Sequence, residues 1–289
     1  MKGNIQKILV PTDFSATAQR AFSHALFLAD QWDASIELIH TVFPEYVPTD
    51  LPVFSARATK DKIDLANVAL KSFTEMGISL LQMGYSFQRV PRVTGHVEIG
   101  SPVTIINRHA KKEGVDLIVM GTKGTHNRLE KTLGSVTTGV IQGAPCSVWV
   151  IPEHAPIKQI GKVAYAAEMR ESDPFYLQKA IDMLPSDEVE LHVVHVQNGK
   201  MEPALVSLQD FESVFAKQAN SPKIAVHQLD GPAVTDALDS FVESRDIDLL
   251  MMFAPEHTMI DRLFHRSTTK RMALETHVPL LLIKRQEPS

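Results

Sequence analysis

Residues 115–136 read VDLIVMGTKGTHNRLEKTLGSV, and this stretch contains an apolar run followed by three glycines. The apolar run VDLIVM has the length of a strand, and Gly121 follows it directly. Two more glycines, Gly124 and Gly134, come later in the same stretch. Short continuous runs of Val, Ile and Leu are typical of strands that are buried on both faces of a parallel sheet. The stretch therefore predicts a buried strand that leads into a glycine-rich loop.

The same apolar run occurs again 132 residues further on, as IDLLMM at 247–252. Other runs also have counterparts: KILVPTD (7–13) matches KVAYAAE (162–168), IELIHTV (36–42) matches LHVVHVQ (191–197), and APCSVWVIP (144–152) matches THVPLLLIK (276–284). The offset is 155 residues at the first strand and 132 from Val115 onward, so the second half lacks 23 residues. The loss falls in the region equivalent to 43–87. The chain is therefore predicted to contain one structural unit twice.

Helical patterns alternate with the strands, as is typical of βαβ units in a doubly wound α/β sheet. The amphipathic segments are 16–32, 61–77, 101–114 and 232–246. We predict strands near 6–11, 35–42, 87–97, 115–121 and 146–152, and near 162–166, 189–197, 223–230, 247–253 and 279–284. The predicted fold class is α/β, with two tandem five-stranded parallel-sheet domains at 1–153 and 162–289 and a linker at 154–161.

Composition excludes several classes of protein. The net charge is −5 and no dense run of Lys or Arg occurs, whereas nucleic-acid binding requires a basic face. The lone cysteine, Cys146, excludes an intramolecular disulfide and a cysteine-cluster metal site. The N-terminus has no signal-peptide segment, and no apolar stretch approaches about 18 residues. We therefore expect a cytoplasmic protein that binds neither nucleic acid nor membrane.

The glycine pattern predicts an anion site. Gly134 and Ser135 precede the helical pattern TTGVIQGA, and free amides at a helix N-terminus attract phosphate. In an open parallel sheet, ligands lie beyond the carboxyl ends of the strands, where Asp13, Thr41 and Gly121 are expected. Any one glycine is explained by a plain turn, but three at this spacing before a serine favour a nucleotide loop. The intervening loop also carries the cationic candidates Lys123, His126, Arg128 and Lys131.

At these residues the sequence resembles the universal stress protein family, in its tandem two-domain form. Gly121, Gly124, Gly134 and Ser135 match that family's ATP-binding signature G-x2-G-x9-G-[ST] without a gap, and KILVPTDFS resembles its first strand. The resemblance implies a Rossmann-like fold in which Asp13 and the Thr41 backbone hold adenine and ribose. It also implies that the amides of 134–136 hold the phosphates. The predicted site residues are Pro11, Thr12, Asp13, Thr41, Met120, Gly121, Gly124, Gly134, Ser135 and Val136, and Asp13 is a candidate ligand of a Mg²⁺ ion carried by the nucleotide.

The second domain departs from this signature. Phe253, Glu256 and Arg266 stand at the glycine positions, while Glu168 replaces Asp13 and Ser267 keeps its type. Bulky and acidic side chains in place of bare amides predict nucleotide in the first domain only. The basic group Arg262, His265, Arg266 and Arg271 is interpreted as a solvated helix face, with recognition of another anion as the alternative. The second domain is expected to pair pseudo-symmetrically with the first, and a homodimer of chains stays open.

The 12 histidines do not predict a metal site. None forms H-E-x-x-H, and His192 and His195 are three apart on a strand, which places them on opposite faces. His40 and His195, at equivalent strand ends, are expected to make local hydrogen bonds. The segment 45–62 is interpreted either as a lid or partner surface or as a plain connection into the next helix.

Three functions remain at this point. The leading hypothesis is an ATP-binding protein that regulates a stress response by its nucleotide occupancy. The second is a slow ATP hydrolase, although the sequence contains no G-x-S-x-G elbow and no evident residue to position water. The third is an interaction protein that has lost nucleotide binding.

Overall fold

The computed structural model describes residues 5–47, 53–122, 134–170, 172–184, 188–197, 223–254 and 278–284. The strands are β1 (Lys7–Pro11), β2 (Ser35–Val42), β3 (Tyr46–Val47), β4 (Val53–Phe54), β5 (Val93–Ile99), β6 (Leu117–Gly121), β7 (Ser147–Ile151), β8 (Lys162–Ala166), β9 (Glu190–Gln197), β10 (Lys223–Asp230), β11 (Leu249–Phe253) and β12 (Leu280–Ile283). The helices are α1 (Ala16–Trp32), α2 (Ala56–Gln82), α3 (Pro102–Glu113), α4 (Ser135–Gly143), α5 (Asp173–Asp182) and α6 (Val234–Ser244). No helix among these residues is long and apolar enough to cross a bilayer.

Ten of the strands form one sheet, in the order β10-β9-β8-β11-β12-β7-β6-β1-β2-β5. Within each half the five main strands are parallel and follow the order 3-2-1-4-5, so the predicted doubly wound α/β class is confirmed. The halves share this sheet because β7 and β12 pair antiparallel. Trp149 lies opposite Leu281, its own counterpart in the repeat. A pseudo-twofold axis therefore passes through that pair of residues.

The hydrogen bonds at the N-terminal ends of the strands also repeat in the two halves. Asp116 Oδ2 accepts the Lys7 amide at 2.9 Å, and its counterpart Asp248 Oδ2 accepts the Lys162 amide at 2.8 Å. Burial by itself would raise the pKa of Asp248, but hydrogen bonds from Lys158 and from backbone amides outweigh it and hold the pKa below its ordinary value. Each half thus fastens the beginning of its first strand to the beginning of its fourth in the same way.

Helices cover both faces of the sheet. Helices α1, α2 and α5 pack on one face, and α3, α4 and α6 pack on the other. The apolar cluster on each face continues across the junction between the halves; on the α1 face, for example, it includes Phe22, Trp149 and Tyr165. Part of the predicted linker joins this core, since Ala155 is fully buried and its carbonyl oxygen lies 3.3 Å from His24 Nε2 of α1. The two halves therefore share their hydrophobic core.

The third strand of the first half begins at Val93, whereas the sequence predicted 87–97. Asp30 of α1 explains the difference, because its carboxylate accepts the amides of Gln88 at 3.1 Å and Arg89 at 2.8 Å. An amide that donates to a side chain is not available to a strand ladder. The chain therefore turns here before it enters the sheet.

Helix α2 is longer than the predicted 61–77. Gly77 lies inside it rather than at its end, and a Cβ at that position would lie 2.5 Å from the Phe22 ring of α1. This glycine therefore permits a close crossing of two helices and does not end the helix. Ser55 caps the N-terminus. The segment 45–62 contains the short antiparallel pair β3–β4 and the first turns of α2.

Candidate functional site

A cavity of about 420 Å³ lies at the carboxyl ends of β1, β2 and β6. The chain order of the strands reverses between β1 and β6, which is where ligands bind in open α/β sheets. The volume of the cavity falls within the range of about 300–1,000 Å³ that is typical of small-molecule sites. The lining consists of Pro11, Thr12, Asp13, Ala18, Ile39, His40, Thr41, Phe43, Pro102, Ile106, Met120, Gly121, Gly134, Ser135, Val136 and Thr137. Nine of the ten predicted site residues line it, and the tenth, Gly124, lies outside the described residues.

The turn that leaves β1 is built by local hydrogen bonds. The Phe14 amide donates to Thr12 Oγ1 at 3.0 Å, and the Ser15 amide donates to Asp13 Oδ1 at 3.0 Å. Phe14 has a left-handed backbone, with φ 62°. Its counterpart in the second half, Met169, has φ 59°. Because both halves adopt this unusual conformation, it belongs to the fold and not to one ligand site.

His40 fastens the end of β2 to this turn. Its Nδ1 lies 2.8 Å from the Thr12 carbonyl oxygen, which can only accept, so Nδ1 carries the proton. The Phe14 ring stacks on the imidazole with 4.4 Å between ring centroids. In the second half, His195 Nδ1 makes the same bond to the Ala167 carbonyl oxygen at 3.0 Å. The predicted local hydrogen bonds of both histidines are thus confirmed, and His40 also lines the cavity.

Gly121 is required by packing. A Cβ at this position would lie 2.5 Å from Thr17 Cγ2 and 3.0 Å from the Thr17 carbonyl oxygen. The glycine therefore lets α1 approach β6, a packing role that the prediction of a nucleotide loop did not include. In the second half, Phe253 stands here and stacks on Tyr176 of α5, with ring centroids 3.3 Å apart. The Phe253 ring is thus used in helix packing, a role that the sequence prediction of an obstructed phosphate site did not include.

Gly134 has no such backbone requirement. Its dihedral angles, φ −59° and ψ 147°, are accessible to every residue. Its amide donates to the Thr122 carbonyl oxygen at 2.8 Å. This bond corrects the expectation that the Gly134 amide would serve a phosphate, since the amide is already used within the protein.

The N-terminus of α4 opens at the cavity. The N-cap residue, Gly134, has no side chain with which to cap this helix, and Ser135 and Val136 line the cavity at its first turn. The first amides of a helix have no acceptor within it, and together with the helix dipole they form a centre of positive potential. The Thr137 hydroxyl donates to the Gly121 carbonyl oxygen at 3.0 Å and so fixes α4 to the end of β6. The arrangement suits a ligand that carries negative charge at one end.

Sequence reasoning missed part of the lining, namely Ala18, Ile39, Phe43, Pro102, Ile106 and Thr137. Ile39 lies two residues before Thr41 on β2, so strand alternation was sufficient to place both on one face. Pro102 and Ile106 are one turn apart on α3, and nothing local in the sequence places that helix beside β2. Ile39, Pro102 and Ile106 thus add apolar side chains to the lining.

Other predicted residues cannot be placed in this way. The cationic loop residues Lys123, His126, Arg128 and Lys131 lie outside the described part of the chain, and so do Glu256, Arg262, His265, Arg266, Ser267 and Arg271 of the second half. Glu168, which replaces Asp13, is described and lies 3.8 Å from Arg170, measured from Oε2 to Nε.

Comparisons with known proteins agree with this fold. A model of the universal stress protein family matches residues 4–152. A universal stress protein from Methanocaldococcus jannaschii is 32% identical over 148 residues, which cover 50% of this chain and 81% of that protein.

Two solved structures extend the likeness to nearly the full length. A universal stress protein from Archaeoglobus fulgidus covers 96% of both chains with a TM-score of 0.73 at 19% identity. A protein of unknown function from Pseudomonas aeruginosa covers 98% of this chain and 94% of its own, with a TM-score of 0.60 at 15% identity. At these identities the likeness concerns the fold alone. Since the family match spans just over half of the residues, the chain belongs to the universal stress protein family.

Proposed function

We propose that this protein binds ATP in its first half and acts as a nucleotide-dependent regulator in a stress response. One observation supports the proposal above all: nine of the ten site residues predicted from the sequence line one cavity at the switch point of the sheet. Membership of the universal stress protein family supports the stress-response role.

The two ends of the cavity suit the two ends of ATP. The first-turn amides of Ser135 and Val136, together with the Ser135 hydroxyl, would donate to phosphate oxygens. Asp13 and the Thr41 backbone would hold the ribose and adenine. The apolar side chains of Ile39 and Ile106 would exclude water from the base. A Mg²⁺ ion that arrives with the nucleotide would meet Asp13, since Mg²⁺ commonly uses one carboxylate plus phosphate oxygens.

The proposal assigns nucleotide to the first half only. In the second half, Glu168 stands in place of Asp13 and forms an ion pair with Arg170, and Phe253 stands in place of Gly121. We also propose that the halves are domains at 1–153 and 162–289, joined by a linker at 154–161. Their repeated 3-2-1-4-5 strand order supports this division.

The first experiment is mass spectrometry of nucleotide that copurifies with the native full chain, followed by titration with ATP. The test variant is Gly134→Arg, which copies Arg266 of the second half. Gly84→Arg is the matched control, because a Cβ at Gly84 meets nothing within 4 Å and the residue is not part of the cavity. We expect about one nucleotide per chain in the wild type and in Gly84→Arg. We expect none in Gly134→Arg, because Gly134 lines the cavity and an arginine side chain there would occupy it. A wild-type protein that is empty and takes up no ATP at millimolar concentration would overturn the proposal.

A further inference from the structure

Three potential metal ligands meet beside the cavity, on the α3 face of the sheet. Glu37 of β2, His96 of β5 and His109 of α3 place one donor atom each within 4.8 Å of one another. None of the three lines the cavity. We propose that Glu37, His96 and His109 bind a divalent transition-metal ion, with Zn²⁺ as the best match.

The sheet register brings the two strand ligands together. His96 pairs with Ile39 in the parallel ladder of β2 and β5, and Glu37 lies two residues before Ile39 on the same face. His109 comes from α3, which packs over this face, and its ring centroid lies 5.0 Å from that of His96. The ligands are therefore held by two strands and a helix, which fix their positions better than a loop would.

The donor set selects the ion. Two imidazole nitrogens and one carboxylate oxygen are a typical set of three protein ligands for Zn²⁺, with water as the fourth. Hard cations such as Mg²⁺ and Ca²⁺ prefer oxygen ligands only. Glu37 and His96 are partly exposed while His109 is 6% exposed, so an ion can enter from the side of the edge strand β5.

A second carboxylate orients the buried ligand. Glu98 Oε1 lies 3.1 Å from His109 Nδ1, and Arg108 Nη2 donates to the other oxygen of Glu98 at 2.6 Å. A histidine that donates Nδ1–H to a carboxylate presents Nε2 to a metal, and such carboxylate–histidine pairs are common around bound metals. Glu98 is thus placed as a positioning residue.

His109 Nε2 and Glu37 Oε2 already lie 2.8 Å apart. A Zn²⁺ ion with bonds of about 2.0–2.2 Å to both atoms would fit between them if the two atoms moved apart by roughly half an ångström. Lys7 Nζ lies 3.3 Å from the other oxygen of Glu37, so that ion pair leaves Oε2 available.

The equivalent positions of the second half can be compared with these three residues. The strand register places His192 at the position of Glu37 and His227 at that of His96, while Phe241 replaces His109. There His192 Nδ1 and His227 Nε2 lie 3.0 Å apart beneath the Phe241 ring. Within the described ranges, no other group of three such donors meets the 4.8 Å distance. His227 is therefore a matched control for His96, at the same place in the repeated fold.

The test is a titration of the chelator-treated, nucleotide-free full chain with Zn²⁺ in competition with a chromophoric chelator. We expect one bound equivalent of Zn²⁺ in the wild type and in His227→Asn. In His96→Asn we expect Zn²⁺ binding that is at least tenfold weaker. His96→Asn removes a ligand but leaves the hydrogen bonds among Glu37, His109 and Glu98 intact, so it should fold normally. Glu98→Gln should weaken binding by about 10- to 100-fold, as loss of an orienting carboxylate does.

Substitution with Co²⁺ gives a second readout, since its visible absorption reports the ligand geometry. We expect the spectrum of a four-coordinate site in the wild type and in His227→Asn, and its loss in His96→Asn. Zn²⁺ affinity that is unchanged in His96→Asn would overturn the proposal, and so would a wild type that binds no Zn²⁺ at tens of micromolar. Neither result depends on whether the cavity binds ATP.

Discussion

Replacing Ser135 by proline tests the contribution of one backbone amide to ligand binding. Ser135 is the first residue of α4, where proline is tolerated because that amide has no acceptor within the helix. The preceding residue, Gly134, has φ −59° and ψ 147°, which is the conformation that a residue before proline prefers. Helix α3 of the same chain already begins with proline, at Pro102. The variant should therefore keep the helix and lose one backbone donor.

The magnitude follows from the charge of the phosphate. A hydrogen bond to a charged group contributes about 1.5–3 kcal/mol, which corresponds to a Kd that is about 10- to 150-fold weaker. Because Ser135→Pro also removes the hydroxyl, Ser135→Ala is the reference, and the ratio of the two Kd values isolates the amide. The assay is calorimetric titration with ATP, with thermal unfolding of each ligand-free variant as the check on folding. If the proline variant melts like the wild type and binds ATP within about twofold of Ser135→Ala, the amide does not hold a phosphate.

Two further predictions concern stability. Gly121→Ala should lower the free energy of unfolding by about 1–3 kcal/mol in urea, because its Cβ would lie 2.5 Å from Thr17 Cγ2. Adding Thr17→Ser should recover only part, since the Thr17 carbonyl oxygen at 3.0 Å remains, and an unchanged midpoint in Gly121→Ala would contradict the packing role. Burial lowers the pKa of His24 to about 4 from 6.5, so below pH 6.5 the unfolded chain binds a proton that the folded chain refuses until about pH 4. Stability should therefore fall as the pH drops through this window, by about 2 kcal/mol between pH 7 and pH 5, and the wild type should lose that much more than His24→Gln in paired urea titrations. Equal losses in the two proteins would show that His24 is not the group responsible.

The features that depend on local pattern were predictable from the sequence alone. Apolar runs and helical periodicity located all ten strands of the sheet, because hydrophobic periodicity is a property of neighbouring residues. The repeat predicted that both halves would have the same α/β unit, and strand ends marked Asp13, Thr41 and Gly121 as residues that would converge. The site was thus predictable because the carboxyl ends of parallel strands meet at one edge of a sheet.

The predicted ends of strands and helices were wrong where residues far away in the sequence contact the chain. The carboxylate of Asp30 takes amides that 87–97 would have used as a strand, and the ring of Phe22 explains a glycine inside α2. Likewise, the signature glycine Gly121 is required by Thr17, a contact between a helix and a strand about a hundred residues apart in the chain. Composition cannot distinguish a glycine that admits a ligand from one that admits a helix.

How the two halves meet, and which side chains cluster, depends on the packing of whole elements and was not predictable from local patterns. The antiparallel pairing of β7 with β12, centred on Trp149 and Leu281, joins two predicted sheets into one, and no local pattern specifies that register. The spacing of the histidines did not indicate the cluster of Glu37, His96 and His109, because these residues come from three separate elements. Periodicity fixes which face of an element is apolar, but the packing of whole elements fixes what that face touches, and it depends on contacts between residues far apart in sequence.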